Sequence, residues 1–157
     1  MTDPSNALAS LQAAFEQGGL SFAEGRVDPN LRFYLDTDLG VPRFVYCQLD
    51  GRVVSAYACF VPVDQLEGLP CFQVGYAVPE PYRGQGRATN VVNAGIVELR
   101  NGFSGYPPFW VEAVVGLDNL ASQKVAAKIL TTDCNPITDQ VSGLPALQYL
   151  RQFATGS

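Results

Sequence analysis

The chain has 157 residues, of which 47% are hydrophobic and 16% are charged, and its formal net charge is -5. This composition predicts one globular domain over 1–157 and excludes a disordered chain. The absence of histidine excludes Ser-His-Asp and Cys-His nucleophiles and every His-based metal site. The four cysteines form no Cys-x-x-Cys pair, so we expect buried, reduced thiols and no bound metal.

Charge and hydropathy also limit the partners and the location. Acidic residues outnumber basic ones by fifteen to ten, and no basic run occurs, which disfavours nucleic acid as a partner. No apolar run is long enough to cross a bilayer, so we expect no membrane partner. The polar, acidic N-terminus lacks the basic region of a signal peptide, which predicts a cytoplasmic protein. The net negative charge suits a cationic amine ligand, and it equally suits simple solubility.

Hydrophobic periodicity predicts an order of elements in which helices and strands alternate. Apolar residues at helical spacing, followed by glycine, predict helices over 5–17 and 88–100, and a third helix is expected over 119–128. Runs of β-branched and aromatic residues predict strands over 31–35, 43–49, 52–63, 71–78 and 109–115. The segment 64–70 is predicted to be a polar connection, and 147–153 is either a last strand or a short helix.

A hairpin and two strand-helix units decide the fold class. Asp50-Gly51, between two predicted strands, is typical of a type I′ hairpin turn, which makes those strands antiparallel. Each strand-helix unit instead needs a crossover connection. The sequence therefore predicts an α/β protein with a mixed sheet and helices on its faces.

The hexapeptide from Arg83 to Ala88 lies between a predicted buried strand and the second helix. Its two glycines, Gly84 and Gly86, remove side chains where a ligand could approach the backbone. The first N–H groups of the helix have no intrahelical partner, and the helix dipole and two arginines add positive charge. These features predict a phosphate site, although the glycines alone would also fit a purely structural turn.

The spacing of the glycines and their neighbours indicates which class of phosphate ligand the turn would bind. A Walker loop requires lysine after its last glycine, and a dinucleotide fingerprint requires a third glycine where Thr89 stands. Both are disfavoured. The hexapeptide instead matches Arg-x-x-Gly-x-Ala, and residues 119–128 match Asn-x-x-Ser-x-x-Val-x-x-Lys. Together, each after its predicted strand, these motifs resemble those of the GNAT N-acetyltransferase superfamily.

The resemblance covers about 43–130 and implies a single GNAT-type α/β domain, with a mixed, central twisted β-sheet flanked by helices. It implies acetyl-coenzyme A as co-substrate, with its pantetheine arm between the strands 71–78 and 109–115. Its acceptor would be a small-molecule or peptide amine, and a homodimer is possible. The implied cofactor-binding residues are Tyr76, Ala77, Val78, Arg83, Gly84, Gln85, Gly86, Arg87, Ala88, Asn119 and Ser122. The competing interpretation makes Asn119 and Ser122 ordinary first-turn residues after an Asp118 N-cap.

The implied reaction is direct transfer of an acetyl group to a primary amine, with the backbone of 76–78 donating to the oxyanion. A lysine-like amine with a pKa of about 10.4 costs roughly 4 to 5 kcal/mol to deprotonate near pH 7, so a general base is expected. We favour Glu112, acting directly or through water, over Glu80 and Glu67. An equally open alternative places Glu112 on an exposed sheet face with no catalytic role.

The chain departs from the family pattern at the leaving-group acid. Many members carry a tyrosine seven residues after the helix asparagine, where this chain has Ala126. Ser122, Tyr76 or Tyr82 would then protonate the thiolate, or it would leave unassisted. We therefore predict Glu112 and Ser122 as catalytic residues. The rival hypotheses are a non-catalytic acyl-coenzyme A sensor or scaffold and, more remotely, an unrelated nucleotide-phosphate binder.

Overall fold

The computed structural model describes residues 3–37 and 40–156, and its strands form one mixed sheet. The strands are β1 (Ala23–Glu24), β2 (Arg32–Asp36), β3 (Arg43–Asp50), β4 (Val53–Leu66), β5 (Leu69–Ala77), β6 (Phe109–Gly116), β7 (Cys134–Thr138) and β8 (Pro145–Phe153). The helices are α1 (Pro4–Glu16), α2 (Arg87–Gly102) and α3 (Leu120–Ile129), with a 3₁₀ turn at Glu80–Tyr82. The predicted α/β class, mixed sheet and flanking helices are confirmed.

The strands lie in the order β1-β2-β3-β4-β5-β6-β8-β7. Neighbours along this order are antiparallel except β5 and β6, which are parallel. The exception follows from α2, which carries the chain back to the end of the sheet where β5 began. None of the helices in the described part of the chain combines the length and the apolar character that a membrane crossing requires.

The helices cover the sheet on opposite faces. Helices α2 and α3 pack on a core that contains Phe60, Phe109 and Leu99, whereas α1 packs its Leu8 on a smaller cluster with Val45 and its neighbours. Helix α2 approaches β3 and β4 closely, because a Cβ added at its Gly95 would lie 2.8 Å from the Phe60 ring. The predicted apolar face of this helix is therefore the face that contacts the sheet.

The first hairpin forms where it was predicted, but its turn lies one residue further along. Asp50 belongs to β3 and pairs with Val53, so that Gly51 and Arg52 form the turn. Gly51 has a φ of +60°, and among the described residues Glu67 alone combines a positive φ with a side chain. Type I′ needs positive φ at both turn residues, so the type I′ prediction is wrong, and Gly at the first position fits type II′.

The connection predicted over 64–70 is also wrong, since it is a second hairpin. Strand β4 continues to Leu66, which pairs with Leu69 across a turn formed by Glu67 and Gly68. These two residues have φ values of +53° and +77°, which is the type I′ pattern. The positive φ at a glutamate is costly and is imposed by the pairing of β4 with β5, which the local sequence does not show.

The C-terminal part of the chain forms strands. The segment predicted as a strand or a helix over 147–153 is part of β8, whose residues 146–153 pair with β6. Strand β7 forms the edge beyond it. Strands β1 and β7 were not predicted, because they are short and polar.

Candidate functional site

Strands β5 and β6 diverge at their carboxyl ends. Their pairs run only as far as Gln73 with Glu112, although β5 continues to Ala77 and β6 to Gly116. The diverging ends leave main-chain groups that a third extended chain can pair with. This is the opening that the resemblance implied for the pantetheine arm.

A cleft of about 610 Å³ occupies this opening and passes from one face of the sheet to the other. Val74 and Tyr76 line it on the face that carries α2 and α3, and Gly75 and Ala77 line it on the α1 face. All of the predicted cofactor-binding residues lie in its lining except Gln85. The structure thus brings the two sequence motifs together around one cavity.

The glycine turn forms the end of the cleft at the N-terminus of α2. Gly84 and Gly86 have φ values of +76° and +74°, in the region that glycine adopts without strain. A Cβ added at either would meet nothing within 4 Å, so the glycines leave open space in front of the backbone. Gly86 is the N-cap of α2 and offers no side-chain oxygen to its first N–H groups. Those N–H groups are free to bind an anion such as a pyrophosphate.

The two arginines of the turn are held in different ways. The Nε of Arg83 donates to the carbonyl of Val78 at 2.8 Å, which fixes the entry to the turn. The Nη1 of Arg87 donates to the Oγ of Ser55 at 3.0 Å, and its guanidinium lies 4.8 Å from the centroid of the Tyr82 ring. Both arginines line the cleft and make its end electropositive.

Residues Asn119 and Ser122 begin α3 on the other side of the opening. The Oδ1 of Asn119 accepts a hydrogen bond from the N–H of Ser122 at 3.1 Å, so Asn119 is the N-cap. The N-cap interpretation with Asp118 is therefore wrong by one residue. Both Asn119 and Ser122 line the cleft, where the amide nitrogen of Asn119 and the hydroxyl of Ser122 can meet a ligand.

Tyr76 lies at the middle of the cleft and joins its two walls. Its hydroxyl donates to the main-chain carbonyl of Ser122 at 2.7 Å. Burial raises the pKa of Tyr76 to about 12. The phenol therefore carries its proton at neutral pH.

Glu112 lies at the apex of the opening, on the α1 face and outside the cleft lining. Its Oε1 accepts from the Nε2 of Gln73 at 3.2 Å, and its Oε2 accepts from the Nε2 of Gln148 at 2.6 Å. Its side chain is half-buried. Val114, two residues further along β6, lines the cleft from the same strand. The carboxylate therefore lies on the same strand as part of the cleft lining, two residues before it.

Other predicted positions lie away from the cavity. Glu67 is at the tip of the second hairpin, and Glu80 is exposed at the start of the 3₁₀ turn. Gln85 is exposed, and its Oε1 accepts from the Nε of Arg87 at 3.0 Å. Ala126 is 2% exposed and belongs to the core under α3.

Sequence reasoning missed the N-terminus of α1, whose residues Asp3, Pro4 and Ser5 line the cleft. The side chain of Asp3 accepts from the N–H of Ser5 at 2.8 Å, and Pro4 occupies the first turn. This Asp-Pro-Ser sequence is typical of a helix start, but it does not reveal which other elements the helix approaches. Within residues 3–37 and 40–156, no group of three or more His, Cys, Asp or Glu side chains is arranged to hold a metal ion.

The family model of the acetyltransferase (GNAT) family matches residues 8–130. No curated protein sequence matches the chain. The fold is similar to that of RimL, a ribosomal-protein α-N-acetyltransferase solved with coenzyme A, at 17% identity and a TM-score of 0.53. That match covers 73% of this chain and 64% of RimL, so the chain spans less than two thirds of the length of that protein.

Two further solved structures have the same fold. RimJ of Mycobacterium smegmatis, in complex with a coenzyme A disulfide, matches at 20% identity and a TM-score of 0.54, over 71% of this chain and 53% of RimJ. The acetyltransferase-like protein yncA of Salmonella typhimurium, solved with acetyl-coenzyme A, matches at 22% identity and a TM-score of 0.50, over 74% of this chain and 65% of yncA. At these identities the likeness establishes the fold alone.

Proposed function

Because the chain belongs to the GNAT acetyltransferase family, we propose that it is an N-acetyltransferase that moves an acetyl group from acetyl-coenzyme A to a primary amine. One observation supports this proposal above the others. A single cleft joins the glycine turn at the N-terminus of α2 to the unpaired ends of β5 and β6. It offers an anion site for the pyrophosphate and main-chain groups for the pantetheine arm along one continuous cavity.

Different residues of the cleft would contact different parts of the cofactor. The N–H groups of Gly86, Arg87 and Ala88 would hold the pyrophosphate, and the guanidinium groups of Arg83 and Arg87 would add charge-assisted contacts. The N-terminal turn of α3, with Asn119 and Ser122, would contact the arm near its sulfur. Acetyl-coenzyme A bound in this way would supply the activated acetyl thioester, and no metal is needed for the transfer.

Direct attack by the amine is favoured over an acetylated enzyme. Cys71, the cysteine of β5, pairs with Trp110 before the strands diverge and does not line the cleft. Burial raises the pKa of its thiol to about 11, with the charge of Glu112 adding to the effect. A thiol that keeps its proton at neutral pH is a poor nucleophile. The cleft also opens on both faces of the sheet, so the amine can enter from the α1 face while the cofactor lies against α2 and α3.

The transfer requires one group of the site to accept a proton and another to donate one. The amine nitrogen bonds to the carbonyl carbon and loses one proton, which Glu112 takes directly or through water. The N–H groups of 76–78 would stabilise the developing oxyanion. The C–S bond then breaks, and the thiolate takes a proton from the Ser122 hydroxyl, with Tyr76 and Tyr82 as alternative donors. Solvent water returns a proton to that donor and takes the proton that Glu112 holds, which closes the cycle. The products are an N-acetyl amine and free coenzyme A.

The acceptor is a small-molecule or peptide amine. The N-terminal turn of α1, which includes Asp3, lines the α1 side of the cleft and would lie beside the acceptor. A carboxylate there, and the net charge of -5, favour an acceptor that arrives as a cation.

A second candidate function is an acyl-coenzyme A sensor or scaffold without catalysis. The observation that favours it is the burial of Ala126 at the helix position where many relatives carry a tyrosine. A chain that keeps the cofactor site and lacks an effective acid would bind without turning over.

Thermal unfolding with and without acetyl-coenzyme A tests the cofactor site. At a hundred times its dissociation constant, the ligand adds about 2.7 kcal/mol to the unfolding free energy, a rise of several degrees in Tm. Gly86→Glu should remove the rise, because its carboxylate repels the pyrophosphate and fills the space before the N–H groups. Gly143→Glu is the matched control, since Gly143 has a φ of +73°, meets nothing within 4 Å and lies outside the cleft.

Release of free thiol with a panel of primary amines separates the two candidate functions. Amine-dependent release supports the transferase. A cofactor-dependent rise in Tm with no release for any amine supports the sensor. A wild type whose Tm does not respond to acetyl-coenzyme A contradicts both.

A further inference from the structure

Arg87 is tied to the sheet by a contact that the sequence motif does not include. Ser55 lies in β4, where the register with β3 shifts between Gln48 and Leu49. Ser55 is the residue that this bulge leaves without a partner, and it is fully buried. Its Oγ donates to the carbonyl of Gln48 at 3.1 Å and accepts from the Nη1 of Arg87 at 3.0 Å. A bulge redirects a side chain in this way, here toward the N-terminus of α2.

Two further contacts restrict the same guanidinium. Its Nε donates to the Oε1 of Gln85, and its plane lies over the ring of Tyr82. The hydroxyl of Tyr82 donates to Oδ2 of Asp50, at the end of β3, at 2.7 Å. The first hairpin therefore holds Arg87 twice, through Ser55 directly and through Asp50 and Tyr82. None of these contacts uses Nη2, and Arg87 lines the cleft.

We propose that Ser55 is a positioning residue for cofactor binding, which orients the Arg87 guanidinium so that it meets the phosphates of acetyl-coenzyme A. An unrestrained arginine loses rotamer freedom when it binds an anion, whereas one already held loses less and binds more tightly. Gln85, which does not line the cleft, acts on the same side chain. This inference rests on the proposed function, since it concerns the same cofactor site.

The test is a double-mutant cycle read by the Kd for acetyl-coenzyme A. Ser55→Ala should raise Kd about three- to tenfold, and Arg87→Ala should raise it by more. If Ser55 acts through Arg87, adding Ser55→Ala to Arg87→Ala should raise Kd no further. Ser104→Ala is the control, because Ser104 also donates its hydroxyl to a main-chain carbonyl but lies outside the cleft. Tm of each unliganded variant separates loss of fold from loss of affinity.

Each outcome decides the proposal. An unchanged Kd in Ser55→Ala, with wild-type binding intact, overturns this inference and leaves the proposed function standing. An equal rise in Kd from Ser55→Ala in the presence and absence of Arg87 overturns it too, since Ser55 would then act by another route. A wild type that does not bind acetyl-coenzyme A overturns the proposed function and this inference together. Non-additive rises in Kd, with Ser104→Ala unchanged, support it.

Discussion

The hydroxyl of Tyr76 donates a 2.7 Å hydrogen bond to the main-chain carbonyl of Ser122 and so joins β5 to the first turn of α3 across the cleft. The acceptor is a backbone atom, so the bond does not depend on the serine side chain. The structural and the proposed catalytic roles of this pair can therefore be separated, because one substitution removes the hydrogen bond and another removes only the hydroxyl proposed as the acid.

Ser122→Ala should lower kcat by about tenfold or more with little change in stability, because it removes the proposed acid and keeps the Tyr76 hydrogen bond. Tyr76→Phe should lower the unfolding free energy by about 1 kcal/mol, because it removes the hydrogen bond that joins β5 to α3. Steady-state kinetics and urea unfolding of both variants measure the two effects. A Ser122→Ala enzyme with wild-type kcat, beside a Tyr76→Phe enzyme that loses about a hundredfold, would make Tyr76 the acid.

Glu112→Gln should lower kcat by about 10² to 10⁴, because it removes the carboxylate that we propose accepts the amine proton. Its Kd for acetyl-coenzyme A should stay at the wild-type value, since Glu112 lies outside the cleft lining. Glu80→Gln is the control, because Glu80 is an exposed carboxylate that follows β5 and lies outside the cleft lining. Single-turnover acetylation of an amine identified by thiol release is the measurement. Equal rates for wild type and Glu112→Gln would remove Glu112 from the mechanism.

Alkaline pH should destabilise the fold through its buried thiols. Burial raises the pKa of Cys71 from 9.0 to about 11, so the folded chain keeps a proton that the unfolded chain releases. The contribution to stability is thus fully present below pH 9 and is lost as the pH rises through about 11. Burial raises the pKa of Cys47 and Tyr57 in the same direction.

The unfolding free energy, measured by urea at intervals from pH 8 to 11, should therefore fall in the wild type and fall less steeply in Cys71→Ala. The slopes of unfolding free energy against pH are compared, because the substitution also leaves a small cavity whose cost does not vary with pH. Parallel slopes in the two proteins would show that Cys71 ionises as easily in the folded chain as in the unfolded one.

Glu98 is a charged residue of α2 that is only 8% exposed. Its carboxylate accepts hydrogen bonds from the N–H groups of Arg26, Val27 and Asp28, at 2.8 to 3.0 Å for the shortest contact of each. Glu98→Ala should lower the unfolding free energy by about 3 kcal/mol, because three main-chain donors lose a charged acceptor at once. Asn93→Ala, at an exposed position of the same helix, should cost less than about 0.5 kcal/mol. If Glu98→Ala lowers the unfolding free energy no more than Asn93→Ala does, then water replaces the carboxylate as the acceptor.

Local patterns predicted the parts of this protein that local chemistry determines. The spacing of apolar residues identified α2, and the glycine turn identified the end of the cleft, because helix periodicity and positive φ are properties of a few adjacent residues. The contact between Arg87 and Ser55 spans 32 positions in the chain and depends on a bulge, which no short motif encodes. The partners of Glu112 come from two other strands for the same reason.

The turns of the two hairpins also depend on strand pairing that the local sequence does not show. Asp50-Gly51 is a strong turn signal, yet the pairing of β3 with β4 moved the turn to Gly51 and Arg52. Sheet register is set by which side chains must face the core, and one extra residue in a strand shifts it. The turn at Glu67 lacked any sequence signal before its glycine, so a polar connection was the natural prediction there.

Ala126→Tyr restores the side chain that many relatives carry at this helix position, and we expect it to destabilise the protein. Ala126 is 2% exposed in the core beneath α3, so the larger side chain has no space without movement of the helix. Overpacking of this kind costs about 1 to 3 kcal/mol or more. Urea unfolding measures that cost, and kcat for the identified amine tests whether the new phenol reaches the thiolate. Ala127→Tyr, at the half-buried neighbouring position, is the control. If Ala126→Tyr is as stable as the wild type and raises kcat, then α3 turns this position toward the cleft when the cofactor binds. Such a result would also mean that Ser122 does not act as the acid that protonates the thiolate.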